Sequence, residues 1–120
     1  MSIKQKERWL IEFYPNIGKE IGKKRPAIVV NHNIIGKLPL KVVVPITTHQ
    51  AKFASYPWMH KIEPNSLNNL TKTSVADCFQ IKNISEDRFI KKLGEISDEE
   101  LLEIHQKIVK VLNPVYLIEY

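Results

Sequence analysis

A single cysteine, Cys78, stands among 120 residues. One thiol forms no internal disulfide, and the chain has no CxxC pair or paired-histidine spacing to hold a zinc ion. A disulfide scaffold is therefore excluded, and no structural metal or cofactor is expected. Long apolar runs are also missing: no window approaches the roughly 18 uninterrupted apolar residues of a membrane helix. The stretch from Met1 to Glu12 alternates charges with bulky apolar side chains, where a signal peptide needs an unbroken apolar segment. These absences point to a cytoplasmic protein without a membrane span. A chain of this length builds one core, so residues 1–120 are read as one domain. Internal repeats and low-complexity segments are lacking as well.

Charge is present in excess and unevenly placed. Residues 1 to 94 carry 16 Lys/Arg against 7 Asp/Glu, and residues 95 to 120 carry 2 against 6, so a body of +9 is joined to a tail of −4. A basic body concentrates polyanions around itself, which makes nucleic acid the first partner to consider and an acidic protein segment the second.

Short apolar segments separated by Pro, Asn, Ser and Gly fill the first 96 positions, the pattern of a small, strongly bent antiparallel sheet. Strands are predicted at Trp9–Tyr14, Pro26–Asn31, Lys41–Thr48, Trp58–Glu63, Ser74–Ile81 and Arg88–Leu93. Pro45 removes a ladder donor, which predicts that its strand lies at an edge or is bulged from that point. A helix start is written at Ser97, with Glu100 three residues on and Ile96 and Leu101 spaced as a staple across the cap. Leu101, Ile104, His105, Ile108, Val111 and Leu112 follow on one face, and Pro114 ends the helix. His105 reads as a packing or interface residue; His32, His49 and His60 form no recognisable pair.

Chemistry is expected near Pro15–Pro26, a loop of about ten residues holding two glycines, an acid and four basic residues. The closing proline aims Arg25 into the next strand. The segment Pro15–Val30, followed by Val43-Val44-Pro45-Ile46-Thr47-Thr48 and Asp77-Cys78-Phe79-Gln80-Ile81, resembles the MazF/PemK toxin family. The P-x-x-G-x-E stretch, the Arg-Pro pair, the V-P-I-T strand and the later Gln80 stand in family order, and the likeness covers most of the chain.

The resemblance implies a mainly β fold with appended α, a small SH3-like antiparallel β-barrel with a C-terminal helix. It implies a cytoplasmic homodimer that cleaves single-stranded RNA at short sequences, without metal, until a cognate antitoxin blocks it. The implied reaction is attack of a ribose 2′-hydroxyl on its neighbouring phosphate, leaving 2′,3′-cyclic phosphate and 5′-hydroxyl ends. Such chemistry needs charge stabilisation at phosphorus, a base and an acid.

Arg25, whose guanidinium fork matches phosphate oxygens, suits the first need. Thr47 matches the family's strand-end threonine and is positioned to hydrogen-bond the phosphate or the 2′-hydroxyl. Glu20 matches the family's acid, with three readings open: orienting Arg25, acting as base, or pairing with a neighbouring lysine. Lys23, Lys24, Thr48, Phe53, Asp77 and Gln80 complete the expected RNA-binding set, with Tyr56 and Trp58 as further stacking candidates beside Lys52 and Lys61. Phe79 departs from the family pattern, in which an acid precedes the glutamine; Asp77, on the same face of a regular strand, is the expected substitute. Two rivals remain at this stage: a gyrase poison of the CcdB type, and an RNA-binding SH3-like module without catalysis.

Overall fold

The computed structural model describes residues 2–13, 23–35 and 38–114. In chain order the strands are β1 (Glu7–Phe13), β2 (Lys23–Val29), β3 (Leu40–Thr48), β4 (Met59–Ile62), β5 (Ser74–Asp77), β6 (Lys82–Ser85) and β7 (Phe89–Glu95), followed by helix α1 (Asp98–Leu112). The sheet runs β4-β5-β3-β2-β1-β7, with β6 pairing β3 off that path. Every pairing is antiparallel. The path ends at β4 and β7 without closing, so the expected barrel is an open, curled sheet with one C-terminal helix.

Strand alternation divides the core into two layers. Even positions of β2 and β3, Ile28, Val44 and Ile46, pack with Val30, Ile62, Ala76 and Cys78 against Leu101, Ile104 and Ile108 of α1. Odd positions, Ala27, Val29 and Val43, meet Ile3, Trp9, Ile11, Ile84 and Phe89 on the other face. Because both faces of the two central strands are buried, their sequences read as nearly continuous apolar runs. Trp9 and Phe89 meet edge to face with centroids 5.8 Å apart.

Helix α1 begins as predicted. Ser97 Oγ accepts the Glu100 N–H at 3.1 Å, and Ile96 and Leu101 are both buried in the same cluster. The Glu100 carboxylate does not return to the cap; it reaches His60 Nε2 at 2.8 Å instead. Asn113, left-handed at φ 43°, ends the helix by donating its N–H to Val109 O. His105 donates from Nε2 to Val30 O at 2.8 Å, tying the helix to the end of β2.

Strand bounds differ from expectation in two informative places. β2 begins at Lys23, so Lys23, Lys24 and Arg25 belong to a paired strand, opposite Phe13, Glu12 and Ile11, and not to the loop before it. The predicted strand Ser74–Ile81 is shorter than expected: β5 covers only Ser74–Asp77, a 3-10 turn follows at Cys78–Gln80, and β6 beyond it was not expected. Tyr14 and the loop from Pro15 to Gly22 lie outside the described residues.

A long connection, residues 63–73, is held rigid by its asparagines. Asn68, fully buried, accepts from the N–H groups of Asn65 and Leu70 and donates to Glu63 O. The Arg8 guanidinium donates to Asn68 O and Asn69 O from below. Gly94 of β7 lies so close that a Cβ there would stand 2.4 Å from Asn68 O. Gly94→Ala is therefore expected to cost about 1–3 kcal/mol of stability, since the obstructing atom is backbone and cannot swing aside. Chemical denaturation checks this; an unchanged midpoint would contradict it.

Candidate active site

The site follows from where two prolines fall in the hydrogen-bond pattern. Val30 donates its N–H to Val42 O at 2.9 Å, so even positions of β2 and β3 face each other as hydrogen-bonded pairs. The next such pairs along the same register are Ile28 with Val44 and then Pro26 with Ile46. Pro26 has no N–H, and the β2–β3 ladder stops one step earlier, at Ala27 opposite Pro45. On its other side Pro26 faces Leu10 in a pair that exchanges no hydrogen bonds, so β1 tolerates it.

Pro45 acts in the same way on the opposite edge of β3. Its missing donor falls where Asp77 would form the next hydrogen-bonded pair, and the β3–β5 ladder ends at Ile46 opposite Ala76. Pairing resumes only at Val43 opposite Lys82. The expectation of an edge strand, or of a bulge in β3, is thus corrected: β3 is central and regular, and the strand beside it makes the detour, at Cys78–Gln80.

Beyond the broken ladder, the β2–β3 register sets Arg25 opposite Thr47 and Lys24 opposite Thr48. Each wall stays anchored from behind, Arg25 by its pairing with Ile11 and Thr47 by its pairing with Val75. A cleft of about 290 Å³ lies between them, lined by Arg25, Pro26, Ile46, Thr47, Thr48, Leu70 and Ser74. Arg25, Thr47 and Thr48 are exposed, and Arg25 is the one charged residue among the described lining. One guanidinium with three hydroxyl side chains, Thr47, Thr48 and Ser74, and no carboxylate among the described lining residues suits an anion.

The remaining expected residues fall into three groups. Lys24 flanks the cleft across from Glu12. Lys23 stands in β2 by its backbone, and its side chain, like Glu20, lies outside the described residues. Asp77, Phe79 and Gln80 come together at the detour beside Pro45. Asp77 does not share a face with Phe79 as a regular strand would require. Its Oδ1 accepts the Phe79 N–H at 3.2 Å and its Oδ2 accepts from Gln80 Nε2 at 2.9 Å, so its carboxylate shapes the turn.

Phe53 belongs to a run of rings. It lies 5.9 Å from Tyr56, Tyr56 stacks on Trp58 at 5.0 Å with planes 12° apart, and Trp58 meets Phe79 edge to face at 5.6 Å. Lys52 Nζ sits 5.4 Å from the Phe53 ring centre.

Two features escaped the sequence. Leu70 reaches the cleft from the asparagine-rich connection, whose Asn65-x-x-Asn68-Asn69 spacing is a turn signal but names no target, and Ser74 reaches it from the start of β5. His60, buried, meets Glu100 at 2.8 Å, Glu103 at 3.7 Å and Lys107 Nζ at 3.2 Å. The spacing of Glu100, Glu103 and Lys107 along one side of α1 was legible; their partner on β4 was not. His60 and the two carboxylates lie close enough to surround a cation. Binding one at Nε2 would leave the ring proton on Nδ1, pointing at the Lys107 ammonium, so the group reads as an electrostatic tie between β4 and α1.

A curled antiparallel sheet opened beside a strand-held arginine, with an extended ring-lined flank, has the charge and shape to receive an anion. Residues 4–112 match the family of PemK-like, MazF-like toxins of type II toxin-antitoxin systems, and the chain belongs to that family. It is 26% identical over 108 residues to the endoribonuclease MazF9 of Mycobacterium tuberculosis, covering 85% of this chain and 89% of that protein. It is 29% identical over 100 residues to an endoribonuclease MazF of Staphylococcus saprophyticus, covering 83% and 82%. Among solved structures, a mycobacterial endoribonuclease in complex with its cognate antitoxin superposes with a TM-score of 0.75 at 16% identity, over 96% of this chain and 99% of that one. MazF of Deinococcus radiodurans gives 0.71 at 22% identity, over 92% and 96%.

Cys78 lies at the start of the detour, fully buried, and burial pushes its thiol up to about 12. The fold therefore favours the neutral thiol, and its contribution to stability is lost as pH rises from the ordinary 9.0 toward that value. At pH 8 a thiol-specific disulfide reagent is expected to label Cys78 only as fast as the protein opens. Labelling at the rate of a free thiol would contradict the packing of the turn.

Proposed function

We propose that this chain is a toxin-type endoribonuclease that cleaves single-stranded RNA without a metal ion, its phosphate held between Arg25 and Thr47. The observation that carries the reading is the cleft itself: one strand-anchored guanidinium faces hydroxyls across a ladder that Pro26 leaves open. Family membership supplies the toxin class, and the relatives named as endoribonucleases supply the reaction class.

In the proposed reaction a ribose 2′-oxygen forms a bond to phosphorus as the bond to the 5′-oxygen breaks. The 2′-proton leaves to a base and the 5′-oxygen gains one from an acid. Arg25 stabilises the charge that grows on the non-bridging oxygens, a role that relies on its permanent charge and forked donors. The Thr47 hydroxyl holds the phosphate or the attacking 2′-hydroxyl. The products are a 2′,3′-cyclic phosphate and a free 5′-hydroxyl. Lys23 and Lys24 follow the RNA backbone, and Glu20, three residues before Lys23 in the chain, serves to orient Arg25 or as the base. The protein works in the cytoplasm as a homodimer of single-domain chains. A cognate antitoxin, with an acidic segment complementary to the basic body, covers the same cleft; the similar mycobacterial endoribonuclease is in complex with a cognate antitoxin of its own.

Incubation of the purified protein with unstructured RNA, followed by end-group analysis, tests this directly. Arg25→Ala is expected to lower the cleavage rate by roughly 10²–10³-fold, the usual loss on removing one charge-stabilising donor, with melting unchanged because the residue is exposed. Cleavage by the wild-type protein is expected to persist in EDTA. Near wild-type cleavage by Arg25→Ala, or activity lost on chelation and restored by added metal, would contradict the assignment.

A further inference from the structure

Phe79 is 62% exposed, an unusual setting for a large ring in a turn that is otherwise fixed from three sides. Its own N–H is held by Asp77, Cys78 before it is fully buried, and its ring meets Trp58 edge to face, with Tyr56 stacked beyond. A ring that is both exposed and immobilised loses little freedom when a flat partner settles on it, which is what a stacking platform requires. Its location is equally specific. Asp77 would face Pro45, two residues before Thr47, and two residues of strand span about 7 Å, so the turn that bears the ring leaves β3 that far along the strand from Thr47. The exposed Gln80 carboxamide, steadied by Asp77, lies next to it and retains further hydrogen-bonding capacity.

We propose that Phe79 is the stacking platform for a base adjoining the cleaved linkage, with Gln80 contacting that base's edge, so that this turn sets one position of the sequence preference. The inference rests on the ribonuclease reading above and extends it to substrate selection. The neighbouring rings and Lys52 continue the surface away from the cleft, giving further bases and phosphates a path.

The test compares wild type, Phe79→Ala and Phe79→Trp on a randomised RNA pool, with sequencing of the cut ends, and on the preferred oligonucleotide, with kcat and KM measured separately. Phe79→Ala is expected to raise KM roughly tenfold or more, as loss of one stacked base does. It should also flatten base preference at one position next to the cut, and Phe79→Trp should restore both. Preference and KM unchanged in Phe79→Ala would overturn the inference while leaving the ribonuclease reading intact. Preference altered at every position together with a lowered melting temperature would also overturn it, by showing a structural role. A variant that weakens only the binding of an acidic antitoxin peptide would reassign the ring to that partner. Absence of any cleavage by the wild-type protein would overturn the ribonuclease reading and this inference together.

Discussion

Two absent hydrogens organise this molecule. Pro26 and Pro45 each stand where a strand would otherwise donate to its neighbour, and each ladder stops one step short of the missing bond. The first gap separates Arg25 from Thr47 without loosening either, because each remains paired on its far side. A functional cleft in the middle of a sheet normally conflicts with the need to satisfy backbone groups. Here the residue that opens the gap is also the one that has no donor to satisfy.

The second gap forces the detour at Cys78–Gln80, and the detour presents Phe79. Asp77 accepts the Phe79 N–H and the Gln80 carboxamide, so the carboxylate that the sequence offered as an RNA contact is spent on shaping the turn. Below it the buried Cys78 joins the cluster under α1. The cleft and the ring-lined flank are thus two outcomes of one strand, β3, whose neighbours on either side leave it at adjacent positions. The acidic tail has a complementary part in the architecture: Asp98 pairs with Lys6 at 2.7 Å and Glu100 hydrogen-bonds His60, so α1 is fastened to the body by polar contacts as well as by its apolar face.

Much of this was written locally in the sequence. The Ser97 cap, the helical stripe through Leu101, Ile104 and Ile108 and the apolar runs of β2 and β3 are short-range signals that appear where they were expected, whereas Leu112 at the end of the expected stripe is exposed. Arg25, Thr47 and Thr48 were named from motif order, and the fold brings them together. What was not legible depends on register. That Pro45 would interrupt its neighbour and leave β3 regular requires knowing which edge its nitrogen faces, a parity fixed only once Val30 and Val42 are paired. The early end of β5 at Asp77 and the part Asp77 takes in the turn follow from the same parity. Leu70 reaches the cleft through the folded asparagine connection, and His60 meets Glu100 across 40 residues of chain; neither contact leaves a periodic trace.

The central claim, that the opened ladder holds an RNA phosphate between Arg25 and Thr47, is tested most directly by nuclear magnetic resonance with a single-stranded RNA made uncleavable by one 2′-deoxy substitution. On titration the Arg25 side-chain Nε–H signal and the backbone amides of Thr47 and Thr48 are expected to move together and saturate at one stoichiometry, while the β1–β7 edge stays still. Saturating RNA binding that leaves those three signals in place would contradict it.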